Sequence, residues 1–235
     1  MRVVLFSCLL LGMPNWSSAV VSQVIYDNFG SGNAHRVNSG RAVLGAGYAP
    51  SPPQMLAVRF VTGFSGFALS EVDVAGKYVT GSNSINVSLA TDSSGSPSAS
   101  MSLIGNVSFP GGSGDPSGSF ESVMAPAGIT LTGGAPYWIV LSPGTASTDA
   151  IWDGTTAPLA DDVYKYNFSD SNGWQPDPSG ITAGLRVIGT PLPEPGVGLM
   201  AIGMIWGLVV RRHRATRGRK ELKGTRPVVS RSCPL

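Results

Sequence analysis

The chain has 235 residues, of which only 13% are charged, whereas about 25% are charged in an average soluble domain. Glycine (31) and proline (18) together make up about a fifth of the chain, well above their usual share. This composition argues against a helix-rich enzyme and against a highly charged solvating protein, and a hydrophobic content of 42% argues against full disorder.

The formal net charge of +2 hides two regions of opposite charge. Residues 20–192 contain six basic and twelve acidic side chains, a net charge of −6, and residues 211–235 contain nine basic and one acidic, a net charge of +8. The basic tail directly follows an apolar run, and that order favours a membrane-topology signal over a nucleic-acid-binding arm. We therefore predict no nucleic-acid partner.

Residues 1–19 have the layout of a signal peptide for export. Arg2 supplies a positive start, Val3–Met13 forms an apolar segment, Pro14 ends it, and Ser17–Ala19 offers small residues for cleavage. The segment is too short to span a membrane as a stable helix. The alternative, a buried N-terminal strand or helix, does not account for the agreement of charge, length and small residues.

Residues 20–190 predict one all-β domain, an antiparallel sandwich or jelly roll. No amphipathic helical stretch is present, and short β-rich runs are separated by turn residues. Ile85–Thr91 alternates apolar and polar residues as a half-buried strand does, whereas Leu56–Thr62 and Tyr137–Ser142 are more continuously apolar, as central strands between two layers are. The other predicted strands are Val24–Asn28, Phe67–Val74 with a bulge near Ser70-Glu71, Met101–Ile104, Gly118–Met124, Ile129–Leu131, Ala150–Trp152, Val163–Phe168 and a last strand at Leu185 and Val187.

The domain offers few residues for a metal site. Residues 20–192 contain one histidine, His35, and no cysteine, which excludes a zinc site of the usual type and an internal disulfide. Calcium needs only oxygen ligands and stays an open alternative to solvated loop carboxylates. Its candidate ligands are Asp149, Asp153, Asp161, Asp162 and the segment Asp170-Ser-Asn-Gly173. We predict no cofactor and no metal.

Catalytic motifs are not evident either. The sequence contains no GxSxG, GxGxxG or GxxxxGK[ST] motif. A Ser-His-Asp triad within the domain requires His35, which lies in a Gly/Asn/Ser-rich segment typical of a solvated loop. Paired carboxylates of a glycosidase stay open, because spacing in sequence does not give spacing in space. We predict a protein without catalytic activity, and a secreted hydrolase is the least favoured alternative.

Aromatic side chains suggest an alternative function, the binding of glycans such as exopolysaccharide. Trp174 follows a predicted turn and is the best candidate for an exposed ring; Trp152 and Tyr164 are further candidate contacts. Trp138 lies inside an apolar strand and is predicted to belong to the core.

The C-terminal region predicts one short transmembrane helix. Val197–Val210 is an uncharged apolar run of 14 residues; as a helix it is about 21 Å long, against about 30 Å of bilayer hydrocarbon. Arg211, Arg212 and Arg214 follow it and are predicted to stay on the cytoplasmic side, which places the preceding domain outside. Residues 215–235 form a basic tail that we predict to be disordered.

Pro193, Glu194 and Pro195, followed by the apolar run and the arginine cluster, resemble the PEP-CTERM sorting signal over residues 191–214. The resemblance implies an exported protein of a Gram-negative bacterium that makes exopolysaccharide. It also implies cleavage near the tripeptide by exosortase, a membrane protease-transpeptidase. Members of that family usually end soon after the arginine cluster, whereas this chain continues to Leu235. An ordinary single-pass anchor and a frameshifted or read-through end are the alternatives.

The domain also resembles the exported choice-of-anchor domains, most of all the R type. Those domains occur with alternative C-terminal surface anchors, and their biochemical role is unassigned. The residues that carry the resemblance are Leu56–Phe60, Thr80–Asn83 leading into Ile85–Thr91, Asp92–Pro97, Ile129–Pro143 and Ala150–Asp153. Together the two resemblances imply an inner-membrane intermediate that becomes a cell-surface or extracellular-matrix protein. Its expected partners are the membrane, an exosortase-like protease and exopolysaccharide.

Overall fold

The computed structural model describes residues 21–48, 52–111, 118–159, 163–168 and 173–193. All regular structure within these ranges is β-strand, which confirms the all-β prediction. No helix long and apolar enough to cross a membrane occurs among them. The predicted signal peptide (1–19), the predicted helix (197–210) and the basic tail (215–235) lie outside the described residues.

The described residues form thirteen strands that pair antiparallel throughout. They are β1 (Gln23–Asp27), β2 (His35–Leu44), β3 (Gln54–Val61), β4 (Phe67–Gly81), β5 (Ile85–Ser93), β6 (Ser96–Val107), β7 (Ser119–Met124), β8 (Thr130–Leu131), β9 (Pro136–Pro143), β10 (Thr148–Thr155), β11 (Tyr164–Phe168), β12 (Gln175–Pro176) and β13 (Leu185–Pro191).

The sheet divides into two sections. Its strand order is β1-β13-β4-β10-β2-β3-β9-β5-β6, with β7 and β8 paired to β4, and with β11 paired to β3 and β12. Strands β2 and β3 share a single residue pair, Leu44 with Gln54. The first section therefore runs from β1 to β2 and includes β7 and β8, and the second runs from β3 to β6 and includes β11 and β12.

The two sections face each other across one core. The ring of Tyr26 in β1 lies 6.1 Å from that of Phe60 in β3, measured between centroids. The ring of Trp152 in β10 meets that of Tyr164 in β11 edge-on at 6.1 Å. Buried side chains of both sections belong to the same hydrophobic cluster. The packing is therefore sandwich-like, as predicted, whereas the jelly-roll assignment stays a prediction.

Strand periodicity predicts the central strands and one irregularity correctly. In β3, Leu56 and Phe60 point into the core between the sections, while Ala57 belongs to a second cluster on the opposite face. In β4, the register against β13 skips Ser70, because Ile188 pairs with Glu71 and Gly189 with Leu69. This register shift is the bulge that the change of phase predicts.

Strand β5 differs from its prediction as a half-buried strand. Val87 is fully buried in the core, but Ala90 on the opposite face is also buried, with 1% of its surface exposed. The outer side of the second section is covered by its own small cluster, so alternation along β5 does not separate buried from exposed positions.

A buried ion pair between Asp73 and Arg186 joins strands of the first section. Asp73 in β4 is fully buried, and its carboxylate accepts hydrogen bonds from Nε of Arg186 in β13 (2.7 Å) and from the hydroxyl of Ser122 in β7. Arg186 also donates to Asn33 (2.8 Å). Because a buried carboxylate is costly unless it is paired, this set of bonds fixes β4 between β13 and β7.

We predict that Trp152→Phe destabilises the fold by about 2–4 kcal/mol. The indole N–H donates to the backbone oxygen of Gly184 at 2.9 Å, and the smaller ring leaves that buried oxygen unpaired and opens a cavity beside Tyr164. Phe64→Ala is the control, since Phe64 is fully exposed, and we expect a change within about 0.5 kcal/mol. Urea unfolding followed by circular dichroism measures both; equal stability of the two variants contradicts the prediction.

Candidate functional site

The chain leaves the sheet at the end of β13. That strand ends at Pro191, the amide of Leu192 donates to the backbone oxygen of Gly66 at 2.9 Å, and Pro193 is exposed. The first residue of the predicted sorting tripeptide therefore lies at the surface, one residue after the last backbone hydrogen bond of the β13 edge. Glu194, Pro195 and the three predicted orienting residues Arg211, Arg212 and Arg214 lie outside the described residues.

Two loops lie beside this exit. In the β3–β4 loop, the hydroxyl of Thr62 donates to the backbone oxygen of Thr132 at 2.6 Å, and the backbone oxygen of Gly63 accepts from the amide of Gly134 at 2.6 Å. We call residues 62–66, 132–135 and 191–193 together the exit end. It contains no charged residue, and the side chain of Phe64 at its tip is fully exposed.

A groove of about 380 Å³ lies next to the exit end, between the two sections of the sheet. Four of its lining residues carry aliphatic hydroxyls, and none carries a charge. It is lined by Leu89, Thr91, Ser100, Ser102, Gly128, Ile129, Thr130 and Tyr137. We call it the hydroxyl groove. Sequence reasoning missed it, although Ser100 and Ser102 stand two residues apart on β6, which places them on one face of a strand.

Tyr137 lies at one edge of the hydroxyl groove, where two contacts hold its ring in place. Its ring stacks on that of Phe60 with centroids 5.9 Å apart and planes inclined by 28°. Its hydroxyl accepts a hydrogen bond from the amide of Thr132 at 2.8 Å. The groove therefore has a fixed aromatic edge on the side of the exit end.

Two of the three predicted glycan contacts do not reach the surface. Trp152 is fully buried and Tyr164 is 6% exposed, because their rings close the core between the two sections. Burial also raises the pKa of the Tyr164 phenol well above its ordinary value. Neither ring offers a face to a sugar, so the prediction of glycan contacts at these two residues is wrong.

Trp174 is half-buried rather than freely exposed. It packs against the buried residues Ala57, Ala90, Trp138 and Val140, which form the outer-face cluster of the second section. Part of its ring surface remains accessible, and a glycan contact at Trp174 stays a prediction. Trp138 is fully buried, which confirms its assignment to the core.

Polar groups around the outer-face cluster are paired with one another. The indole N–H of Trp138 donates to Asp92 at 2.8 Å, and Lys165 lies over the Trp138 ring and donates to Ser96 at 2.9 Å. Burial alone would raise the pKa of Asp92, but hydrogen bonds from Gly95 and Trp138 and the charge of Arg59 lower it below its ordinary value.

An ion pair anchors the segment that carries Trp174. Arg41 in β2 donates to both carboxylate oxygens of Asp177, and its guanidinium lies 4.9 Å from the centre of the Tyr166 ring. Burial would raise the pKa of Asp177, but the hydrogen bonds from Arg41 and Ser179 outweigh it and lower the pKa. The same pairing raises the pKa of Arg41.

The structure describes only some of the residues considered as candidates for a metal site or a catalytic site. No group of three His, Cys, Asp or Glu side chains among the described residues lies close enough to hold a metal ion. His35, predicted to lie in a solvated loop, instead begins β2 and is half-buried, with Nε2 3.9 Å from the carboxylate of the buried Asp153. The calcium candidates Asp161, Asp162 and Asp170–Asn172 fall outside the described residues. The absence of a metal stays a prediction.

Comparison with known proteins gives a similarity of fold but no match of sequence. No family model matches the chain, and no curated protein matches it. The fold is similar to a crystal structure of the cysteine protease and lectin-like domains of Cwp84, a surface layer associated protein of Clostridium difficile, with 14% sequence identity and a TM-score of 0.39. The similarity covers 59% of this chain and 33% of that chain, so this chain spans about a third of that structure's length.

We predict that Asp177→Asn destabilises the domain by about 2 kcal/mol at pH 7, because the carboxylate is buried and doubly bound by Arg41. The pKa of Asp177 is lowered in the folded state. The contribution of its carboxylate to folding stability is therefore complete above the unfolded-state pKa of about 4. It is lost as the pH falls through the lowered folded-state value, where variant and wild type converge.

Asp149→Asn is the contrasting variant, because burial raises the pKa of Asp149. Its charged form opposes folding, so the substitution leaves stability at pH 7 unchanged or higher. Thermal melts between pH 2 and pH 7 measure both variants. Parallel pH profiles for the two would contradict the assignment.

Proposed function

We propose that this protein is exported and becomes a cell-surface or extracellular-matrix protein without catalytic activity of its own. An exosortase-type membrane protease would process it near Pro193, Glu194 and Pro195. The observation that carries the proposal is the exit of the chain. Within the part of the chain that the structure describes, Leu192 makes the last backbone hydrogen bond to the domain, and Pro193 directly after it is exposed.

The local chemistry of the exit suits proteolysis. A protease needs backbone whose hydrogen-bonding groups are not already occupied by a sheet. Proline has no N–H, so neither Pro191 nor Pro193 can donate a backbone hydrogen bond to a neighbouring strand. The residue before a proline favours extended conformations over helix, and Leu192 precedes Pro193. The sequence itself therefore ends the sheet where the sorting tripeptide begins.

The length of the linker supports a membrane intermediate. Four residues separate Leu192 from the first residue of the apolar run, Val197. At no more than about 3.6 Å per residue, the distance from Leu192 to Val197 is at most about 18 Å. With Val197–Val210 in the bilayer, Leu192 would lie within that chain length of the first residue of the apolar run. The exit end of the domain is uncharged and presents Phe64, so little desolvation of charge would oppose contact with lipid.

We predict that replacing Pro193, Glu194 and Pro195 together by alanine leaves an unprocessed precursor in the membrane. The test expresses the full chain in a Gram-negative host with and without an exosortase and measures intact mass in membrane and extracellular fractions. The wild type should lose residues 1–19 in both hosts and the C-terminal region only with the enzyme. Pro126→Ala, an exposed proline elsewhere, is the control and should be processed like the wild type.

Two outcomes would overturn the proposal. Retention of the complete C-terminus in the presence of the enzyme would leave an ordinary single-pass anchor. Equal processing of the wild type and the triple variant would show that the tripeptide is not the recognised sequence.

A second candidate function is the binding of polysaccharide outside the cell. The hydroxyl groove favours it, since it is a concave, uncharged surface with an aromatic edge. The partly accessible ring of Trp174 is a separate candidate contact on the outer side of the second section.

A further inference from the structure

We propose that the hydroxyl groove binds a neutral saccharide unit of a polysaccharide chain. This inference deepens the second candidate function by naming the site and the class of sugar. It is independent of the proposed sorting, because it requires no particular processing of the C-terminus.

The lining of the groove matches the chemistry of a sugar. Thr91, Ser100, Ser102 and Thr130 each carry a hydroxyl, which both donates and accepts hydrogen bonds. The hydroxyl of Thr91 donates to Ser98 at 3.1 Å, which fixes its orientation and leaves its lone pairs for a ligand. Sugar hydroxyls are donors and acceptors too, so they pair with such a surface in either sense.

Because no residue that lines the hydroxyl groove is charged, the groove favours a neutral sugar over an acidic one. A carboxylate or sulfate group that enters the groove gives up its hydration, and no lining residue carries a positive charge to compensate. Residues 20–192 also carry a net charge of −6, which adds a repulsion of acidic polymers that salt screens beyond about 8 Å. Local desolvation and the overall field therefore disfavour uronic or sulfated sugars.

The apolar part of the groove offers a surface to the C–H faces of a sugar ring. Leu89, Ile129 and the edge of Tyr137 supply it. Tyr137 is held by its stack on Phe60 and by the hydrogen bond from Thr132. A ligand therefore does not have to order this side chain, which favours binding in a shallow site.

The dimensions and position of the groove suit a polymer. Its volume of about 380 Å³ lies within the usual range for small-molecule sites. It is bounded by β5, β6 and β9 of the second section and by Gly128–Thr130 of the first. It opens to solvent at the edge of the sandwich, so a sugar unit can occupy it while the rest of a polysaccharide continues outside.

The test uses the full chain in an amine-oxide detergent, because glycosidic detergents carry a competing sugar. Affinity electrophoresis in gels that contain dextran, hydroxyethyl cellulose, galactomannan or alginate measures retardation. We expect retardation by at least one of the three neutral polymers and little by alginate. The dissociation constant should rise about tenfold in Ser102→Leu, which fills the groove and removes a hydroxyl.

Ala99→Leu is the control for the added leucine side chain. Ala99 is also exposed on β6 but does not line the groove, since neighbouring strand residues point to opposite faces. This variant places the same side chain outside the groove and should bind like the wild type. Thr130→Val tests the hydroxyl without added bulk, and it should weaken binding several-fold. Near-ultraviolet circular dichroism checks that each variant keeps the native fold.

Three results would overturn the inference. The first is that no neutral polymer retards the protein. The second is that Ser102→Leu and Ala99→Leu reduce the retardation equally. The third is that alginate alone retards the protein. None of these readouts depends on cleavage near Pro193, which the mass measurement follows separately. Failure of the saccharide site and failure of the sorting proposal are therefore distinguishable.

Discussion

The two sections of the sheet share one backbone pair, Leu44 with Gln54, so their apposition depends on the side chains buried between them. Residues 20–192 contain no cysteine, and no disulfide can replace that burial. The aromatic contacts between Trp152 and Tyr164 and between Tyr26 and Phe60 lie in this interface. Where the core ends, the sections separate, and the inner faces of β5 and β6 become accessible. The hydroxyl groove is the result of this geometry, since Leu89 is still buried while Thr91 and Ser102 are exposed.

One strand places the groove and the exit of the chain at the same end of the domain. Ala68 in β4 pairs with Thr130 on one side and with Thr190 on the other. Neighbouring strands lie about 4.8 Å apart, so Thr130 and Thr190 are separated by about 10 Å. Under the two proposals, the saccharide site and the chain that leads to the cleavage site therefore lie at the same end of the domain.

Periodicity in the sequence predicts strands well and predicts exposure poorly. The apolar runs of β3 and β9 and the change of phase at Ser70 reflect local rules of the strand, and the structure agrees with them. Trp152 and Tyr164 are misassigned because alternation shows that residues share a face but not which face turns inward. The outer-face cluster weakens the pattern further, since it buries Ala90 opposite the core. The hydroxyl groove brings together two stretches of the chain, residues 89–102 and 128–137, and no local pattern marks their apposition.

Charged side chains form ion pairs that stabilise the domain, whereas the exit end and the hydroxyl groove contain no charged residue. Arg186 with Asp73 and Arg41 with Asp177 each join strands or segments that are far apart in sequence. Their charges are engaged in these pairs and are only slightly available to a ligand. The exit end and the groove carry none. At physiological ionic strength the field of the domain falls off over about 8 Å, so contacts at this end are decided by hydroxyls and apolar surface. A bilayer surface and a neutral polysaccharide both accept such contacts without the desolvation of an unpaired charge, so the two proposals require the same chemistry from this end of the fold.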